Sequence, residues 1–348
     1  MAGRQISPAG LISGGVIALV LIVNAVASGL SGGAGAEASE DGLTSTPRLS
    51  AEAARLSRSA VHLSEGCKET AGNVRPGTTR LYIESGDRIR SYLLSIPVTY
   101  RSDRTSALIM SFHGRNRSAQ VSQQATGLSR VPAIVAYPDG TINRSGKSDW
   151  QGAPMAAYDV DDIAFTSAVI DRVEKTLCVD RDRIYTAGHS DGGGFAVTAA
   201  CELRHRVAAV VAASAAFYDR IAACPSPISI LEFHAGGDRI VPYAGETWRG
   251  AELASISTLM RAQATVNQCA QGPRRESIRG EAVDYTWSRC ASGRSVEHIR
   301  VSSRFHRVPT TRDLGGASFT WIAWRFLQKH TLQPADLSAP TDADTVRS

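Results

Sequence analysis

Short apolar runs recur through the middle of the chain and predict β-strands. Most of these runs end at glycine, proline or a polar residue, which is typical of buried strands that are followed by a turn. The strand-like runs are Ser91–Val98, Ala107–Phe112, Val131–Tyr137, Ile184–Gly188, Val207–Ala213, Ile228–Phe233 and Val296–Val301.

Between these runs, apolar residues recur at the spacing of a helix. Asp161 and Asp162 are suited to cap the start of one such helix, because a side-chain oxygen there can accept from a free backbone N–H. Helical patterns are predicted from Asp161 to Leu177 and over Gly192–Leu203, Ala251–Val266 and Ala317–Gln328. The alternation of strand and helix predicts an α/β fold class, with a mostly parallel sheet covered by helices on both faces. Ligands of such sheets bind at the carboxyl ends of the strands.

The ends of the chain differ from this pattern. Between Arg4 and Glu37 there is no charged residue, and Val16–Val23 is continuously apolar. A basic start, an apolar run and then small residues are typical of a secretory signal peptide, although the run is also long enough for an uncleaved anchor. We predict a signal peptide or signal anchor over residues 1–30, a flexible linker over 31–65, one folded domain over 66–330 and a disordered tail over 331–348. No membrane association is expected unless the first segment stays uncleaved.

The net charge of +5 comes from basic residues that are scattered along the chain. The sequence has no run of Lys and Arg interleaved with aromatic residues, which argues against nucleic-acid binding. The charge therefore indicates a solvated basic surface.

The cysteines indicate disulfide bonds. The six cysteines are Cys67, Cys178, Cys201, Cys224, Cys269 and Cys290. An even number in an exported chain favours disulfides, whereas no Cys/His spacing typical of zinc is present, so no metal site is expected. The pairing stays open, but Cys269 with Cys290 is favoured because the two flank one short segment. Asn116 and Asn143 begin glycosylation sequons, which matter only if the host glycosylates and their loops are exposed.

A candidate nucleophile lies in Gly188-His189-Ser190-Asp191-Gly192. This G-x-S-x-G pattern follows an apolar strand and precedes a helical run, which is the context of the nucleophile turn in the α/β-hydrolase fold. The glycines are needed because side chains at these positions would collide with the neighbouring strand and helix. The pattern predicts Ser190 as the nucleophile. It also predicts the Asp191 N–H, at a helix N-terminus, as one donor of an oxyanion hole.

A base and an acid should follow the serine, in the order acid and then histidine. Asp238 comes after the run that ends near His234, and it is favoured over the competing Asp219. His306 lies in a loop after a predicted strand and is favoured as the base. The other two histidines downstream have simpler interpretations. His298 fits a strand surface, and His330 fits a cation at a helix end.

The second oxyanion donor is expected in a loop after an early strand. Ser111-Phe112-His113-Gly114-Arg115 ends a predicted strand. The missing side chain at Gly114 would let the backbone approach the substrate. We therefore assign this donor to the N–H near Arg115.

These motifs together resemble those of the secreted feruloyl esterases of carbohydrate esterase family one, particularly the fungal type. That group is related to acetyl xylan esterases and polyhydroxybutyrate depolymerases. The matching segments span nearly all of residues 66–328. They are Gly66-Cys67-Lys68, Ser111–Gly114, Tyr137–Gly140, Trp150–Pro154, Asp161–Phe165, Cys178–Asp180, Gly188–Phe195, Glu232–His234 with Asp238, Val241–Tyr243, and His306.

The resemblance implies a secreted, extracellular serine esterase of the α/β-hydrolase fold. Ser190, Asp238 and His306 would form its catalytic triad, with no cofactor. Its substrate would be ester-linked hydroxycinnamate on plant cell-wall polysaccharide or a small aromatic ester. His189 and Asp191 depart from the usual residues of the family beside the serine, so other esters (acetylated xylan or a polyhydroxyalkanoate) stay open. A catalytically inactive binding protein on the same scaffold is a further alternative.

Overall fold

A computed structural model describes residues 62–67, 74–218, 224–248, 250–279, 282–333 and 336. These residues lie in the unit Ser59–Ser348. The predicted signal peptide or anchor, most of the predicted linker and the alternative acid Asp219 lie outside the described residues.

The described strands build one large sheet and two small ones. The large sheet has ten strands in the order β1-β2-β4-β3-β7-β8-β9-β14-β13-β12, and β5 with β6 and β10 with β11 form two-stranded sheets. The strands are β1 (Gly77–Ser85), β2 (Arg88–Ile96), β3 (Ser106–Phe112), β4 (Ile134–Pro138), β5 (Thr141–Ile142), β6 (Ser148–Asp149), β7 (Val179–His189), β8 (Ala209–Ala213), β9 (Ser229–Ala235), β10 (Glu246–Trp248), β11 (Ala251–Leu253), β12 (Gln271–Ile278), β13 (Ala282–Ser288) and β14 (Val296–Val301).

The six central strands of the large sheet, from β4 to β14, pair in parallel, and the outer strands pair antiparallel. The described α-helices are α1 (Ala119–Thr126), α2 (Asp162–Thr176), α3 (Asp191–Glu202), α4 (Ile256–Val266) and α5 (Phe319–Leu327). As predicted, Asp161 caps α2, because its carboxylate accepts from the N–H of Ala164 at 2.7 Å.

Both faces of the sheet are buried under helices. Along β3, Leu108 and Met110 pack on one face with α2 and α3, and Ile109 packs on the other with α1 and α5. This follows from the two-residue period of a strand. The predicted α/β fold class, with a mostly parallel sheet covered on both faces, is confirmed.

The predicted helix over Ala251–Val266 is wrong at its start. Residues Ala251–Leu253 form β11, which pairs with β10, and the helix begins at Ile256. The sequence pattern also missed β1, β12 and β13. Strand β12 is exposed along almost its whole length, so its sequence carries no apolar period.

Residues just outside both predicted boundaries of the domain contact residues inside it. Ser64, at the end of the predicted linker, is buried, and its hydroxyl donates to the carbonyl of Leu177 at 2.7 Å. At the other end, the N–H of Leu332 donates to the carbonyl of Asp182 at 2.9 Å. The remainder of the predicted tail lies outside the described residues, except for residue 336.

Disulfide bonds join Cys67 to Cys178, Cys201 to Cys224 and Cys269 to Cys290. The last pair is the one that the sequence favoured. No helix in the described part of the chain combines the length and apolar character that a bilayer crossing needs.

Candidate active site

Ser190 lies in a sharp turn between β7 and α3, with φ 57° and ψ −128°. A non-glycine residue rarely adopts a positive φ, so the backbone is strained at this serine. The turn is possible because its neighbours lack side chains. A Cβ on Gly188 would lie 2.0 Å from the carbonyl oxygen of Gly192, and a Cβ on Gly192 would lie 2.2 Å from that of His113. The sequence argument for these two glycines therefore agrees with the packing.

Asp238 lies in the loop after β9, which we call the acid loop (residues 236–241). Its side chain is buried, and Oδ1 accepts from the backbone N–H groups of Ile240 at 2.8 Å and Val241 at 3.0 Å. Oδ2 accepts from Nδ1–H of His306 at 2.8 Å. Two backbone donors therefore fix the carboxylate while its other oxygen faces the imidazole.

His306 lies in the loop after β14, between Asp238 and Ser190. Its Nε2 is 2.8 Å from the Ser190 hydroxyl oxygen and accepts the hydroxyl proton. Burial alone raises the pKa of Asp238, but the hydrogen bond from His306 and the backbone N–H groups hold it below its ordinary value. The structure therefore brings together all three side chains that the sequence predicted, with Asp238 as an anion behind the ring.

The residues that carry the two predicted oxyanion donors, Asp191 and Arg115, line the same cleft as Ser190. Asp191 begins α3, where the first N–H groups of a helix have no intrahelical carbonyl partner. The loop after β3 passes close to the serine, because a Cβ on Gly114 would lie 3.0 Å from the Cβ of Ser190. Arg115, the next residue, lines the same cleft as Ser190.

The sequence did not identify His113 as a residue that holds this loop in place. Its Nδ1–H donates to the carbonyl of Gly114 at 2.8 Å, and its Nε2 accepts from the N–H of Gly140 at 2.8 Å. The indole N–H of Trp150 donates to the carbonyl of His113 at 2.7 Å. Burial lowers the pKa of His113, which favours the neutral ring that this pattern requires. The His-Gly pair in the sequence was the only local signal.

The Asp191 side chain, one of the two departures from the family pattern beside the serine, has a polar neighbour at each oxygen. Oδ1 accepts from the Tyr218 hydroxyl at 2.8 Å, and Oδ2 lies 3.9 Å from Nε of Arg115. Burial and the nearby Asp191 raise the pKa of Asp149 to about 7. The Asp191 carboxylate therefore faces a hydroxyl donor and the Arg115 guanidinium, and its charge acts on the Asp149 carboxyl. Sequence reasoning did not identify Tyr218.

A cleft of about 350 Å³ opens at Ser190 and His306. This volume falls at the small end of the range for pockets that bind small molecules. It is lined by Gly114, Arg115, Arg117, His189, Ser190, Asp191, Tyr218, Ile240, Val241, Leu253 and His306.

His189 is neutral in this cleft. Its ring lies 4.9 Å from that of His306, and burial, together with the charge of His306, lowers the pKa of His189 to about 3. It therefore adds no second positive charge beside the base.

Two other histidines differ from their predicted roles. His298 is not a strand-surface residue, because it is buried and its Nδ1 lies 2.9 Å from Oε2 of Glu232. His330 is not a helix-end cation, because burial lowers its pKa to about 4. Its ring contacts the hydroxyl groups of Ser229 and Ser295 instead.

The two sequons differ in exposure. Asn143 is buried, and its side-chain amide donates to Asp149 at 3.0 Å, so that nitrogen is not available to a glycan in the folded protein. Asn116 is exposed.

Comparisons with known proteins find similarity to feruloyl and acetylxylan esterases. No family model matches the chain. It is 34% identical over 167 residues to feruloyl esterase B of Piromyces equi, covering 45% of this chain and 30% of that protein. It is 30% identical over 174 residues to a probable feruloyl esterase C of Aspergillus niger, covering 47% of this chain and 59% of that protein. It is 24% identical over 216 residues to a bifunctional acetylxylan esterase/xylanase of Neocallimastix patriciarum, covering 60% of this chain and 30% of that protein.

The chain therefore spans less than two thirds of the length of each of these relatives. Among solved structures, a thermostable esterase matches with a TM-score of 0.50 and 18% identity, covering 73% of this chain and 63% of that one. At this identity the likeness concerns the fold alone, and with the strand order it identifies an α/β-hydrolase fold. The resemblance to feruloyl esterases that the motifs predicted is confirmed.

Proposed function

We propose that this protein is a serine-type carboxylic ester hydrolase in which Ser190, His306 and Asp238 are the catalytic triad. The observation that carries the proposal is the continuous chain of two 2.8 Å contacts from the Ser190 hydroxyl through the imidazole to the carboxylate. A hydroxyl within hydrogen-bond reach of a base that a third group orients is the arrangement that nucleophilic catalysis requires.

In the proposed mechanism, Nε2 of His306 takes the hydroxyl proton while the Ser190 oxygen attacks the ester carbonyl carbon. Asp238 stabilises the imidazolium that forms. The N–H groups of Asp191 and Arg115 donate to the oxyanion of the tetrahedral intermediate. His306 then returns the proton to the departing alcohol oxygen, and a water molecule, activated in the same way, releases the acid and restores the serine.

The proposed substrates are ester-linked hydroxycinnamates of plant cell-wall polysaccharide, such as feruloyl groups. The similarity to feruloyl esterases of Piromyces and Aspergillus supports this substrate class. An acetyl ester of xylan is the second candidate, because the chain is also similar to an acetylxylan esterase/xylanase. A cleft of about 350 Å³ is compatible with either acyl group.

The protein is further proposed to act outside the cell. Disulfide bonds persist in oxidising compartments, and three of them join the cysteines of this domain. The apolar segment that precedes the domain in the sequence would direct its export. Exposed Asn116 is the one sequon that we retain as a glycan acceptor.

The test combines a covalent probe with a panel of esters. A fluorophosphonate should label the wild type and the control Ser277→Ala, which changes an exposed serine on β12, but not Ser190→Ala. Methyl ferulate, acetyl xylan and short hydroxybutyrate oligomers should be compared by kcat/KM, with methyl ferulate expected to be the best. Ser190→Ala should lose about a thousandfold or more of the activity. A wild type that neither binds the probe nor hydrolyses any of the esters would establish the inactive scaffold instead.

A further inference from the structure

A buried polar cluster lies directly beneath the acid loop. It consists of Glu232, His234 and His298, which are buried, and the half-buried Tyr243, and we call it the Glu232 cluster. Glu232 and His234 lie on β9, and His298 lies opposite Glu232 in the register of the neighbouring strand β14. Glu232 and His234 have no exposed surface. Burying a carboxylate costs free energy unless the charge is paired and hydrogen-bonded, so apolar packing does not explain why this cluster is present.

His234 is held between acceptors on both ring nitrogens. Nδ1 lies 2.9 Å from the Glu232 carboxylate, and Nε2 lies 2.8 Å from the carbonyl oxygen of Val241. Each acceptor requires a proton on the nitrogen that faces it, so only the doubly protonated imidazolium satisfies both. Burial alone lowers the pKa of His234, but the Glu232 charge raises it above its ordinary value, in agreement with the geometry.

The Val241 residue links this cluster to the triad. Its carbonyl accepts from His234, and its N–H donates to Oδ1 of Asp238. The imidazolium is also 3.8 Å from Oδ2 of Asp238, the oxygen that receives the proton of His306 Nδ1. One side chain therefore touches both the backbone that holds the acid and the acid itself.

We propose that His234 is a positioning residue of the triad, and this inference rests on the esterase function proposed above. Through the Val241 carbonyl it fixes the acid loop, so that Asp238 is held in hydrogen-bonding position to His306. Its positive charge, 3.8 Å from the Asp238 carboxylate, offsets part of the negative charge of that group. Glu232 keeps His234 charged.

The other charged and titratable groups around His234 do not replace this charge. From β14, His298 contacts the second oxygen of Glu232, and Arg300 lies over the Tyr243 ring at 4.9 Å. The Tyr243 ring faces His234 at 6.0 Å and donates its hydroxyl to Nε2 of His298 at 3.0 Å. His298 therefore has an acceptor at one nitrogen and a donor at the other, which suits a neutral ring. His189 is also neutral, because burial lowers its pKa and the His234 charge adds to that effect.

Two substitutions at His234 separate its hydrogen bond from its charge. His234→Leu removes both, and we expect kcat to fall about tenfold to a hundredfold with little change in KM, because the reacting groups lose their alignment. His234→Gln retains an N–H that reaches the Val241 carbonyl but carries no charge. We expect it to recover most of kcat. In the profile of kcat/KM against pH, its acidic limb should shift upward by about half a unit, because the Asp238 carboxylate that bonds His306 then has no positive charge beside it to offset its own.

His298→Gln is the matched control. His298 is as deeply buried and lies at the same 2.9 Å from the Glu232 carboxylate, but its contacts are with Glu232, Tyr243 and Tyr285 and not with the acid loop. We expect it to lower the thermal midpoint as much as His234→Gln does while leaving the pH profile in place.

The measurements are kcat, KM and the pH profile on the best ester of the panel, together with thermal unfolding. An unshifted acidic limb in His234→Gln, or an equal shift in His298→Gln, would overturn the inference. If His234→Leu does not fold, the comparison of the two glutamine variants still decides. Failure of the esterase proposal itself would be recognised differently, by a wild type that is inactive and not labelled by the fluorophosphonate.

Discussion

Replacement of Asp238 by asparagine tests whether the triad depends on the orientation of one histidine. Two backbone N–H groups donate to Oδ1 of Asp238, so the only oxygen of the asparagine will take that position. Its NH₂ group then replaces Oδ2 and points a donor at Nδ1 of His306 across 2.8 Å. The His306 ring can accept this hydrogen bond only if its Nδ1 is unprotonated. The proton of the neutral ring then lies on Nε2, which faces Ser190.

A protonated Nε2 cannot accept the serine proton. We therefore expect Asp238→Asn to lower kcat by about ten-thousandfold, as the loss of the correct tautomer does in serine hydrolases generally. This corresponds to about 5 kcal/mol of transition-state stabilisation. The assay is steady-state hydrolysis of the best ester of the panel, with circular dichroism to verify the fold. The control is Asp103→Asn, which changes an exposed carboxylate near Arg101.

The result that would refute this reasoning is a folded Asp238→Asn variant that keeps more than about a tenth of the wild-type kcat, because the tautomer argument allows no such activity. Full activity of Asp103→Asn is expected in the same experiment.

The same variant tests the direction of the Asp238 pKa. Hydrogen bonds hold that pKa below the ordinary value although burial opposes them. A carboxyl group with a lowered pKa in the folded state stabilises the protein above its unfolded pKa, and this contribution is lost as the pH falls through the folded value. The difference in free energy of unfolding between wild type and Asp238→Asn should therefore be constant above about pH 5 and shrink below about pH 4. A difference that grows on acidification would contradict the assigned hydrogen bonds.

Three further predictions concern the surroundings of the triad and the fold. Gly192→Ala should abolish activity and lower the thermal midpoint, because its Cβ would lie 2.2 Å from the backbone oxygen of His113, and an active variant of normal stability would contradict the turn geometry. Replacing both Cys269 and Cys290 by serine should lower the free energy of unfolding by about 3 kcal/mol, because the disulfide closes a loop with a sequence separation of 21 in the unfolded chain. Urea titrations measure this change, and an unchanged midpoint would mean that the disulfide does not restrict the unfolded chain. Asp191→Asn should raise kcat about twofold or more by removing a negative charge near the oxyanion, and a lower kcat at unchanged KM would instead mean that the carboxylate assists catalysis.

Much of the site followed from the sequence, because the features that define it are local. The strand, the glycine-flanked serine and the following helix occupy one continuous stretch, and steric limits on that turn dictate its residues. Asp238 and His306 could be selected because each follows a strand of a parallel sheet, and the carboxyl ends of such strands meet at one edge. The favoured disulfide, Cys269–Cys290, likewise joins residues close in the chain.

The contacts that depend on distant neighbours were decided only by the tertiary structure. The exposed edge strand β12 has no apolar period to reveal it, and the start of the predicted helix at Ala251 became a strand because β10 pairs with it. His298 was interpreted as a surface residue because apolar and polar residues alternate along its strand. In the structure it is buried beside Glu232 of the neighbouring strand β9. The period of the apolar residues indicates which face of an element a residue occupies. The group that it contacts on that face comes from a distant part of the chain, so the sequence pattern does not reveal it. The charge of a group such as His234 depends on that contact.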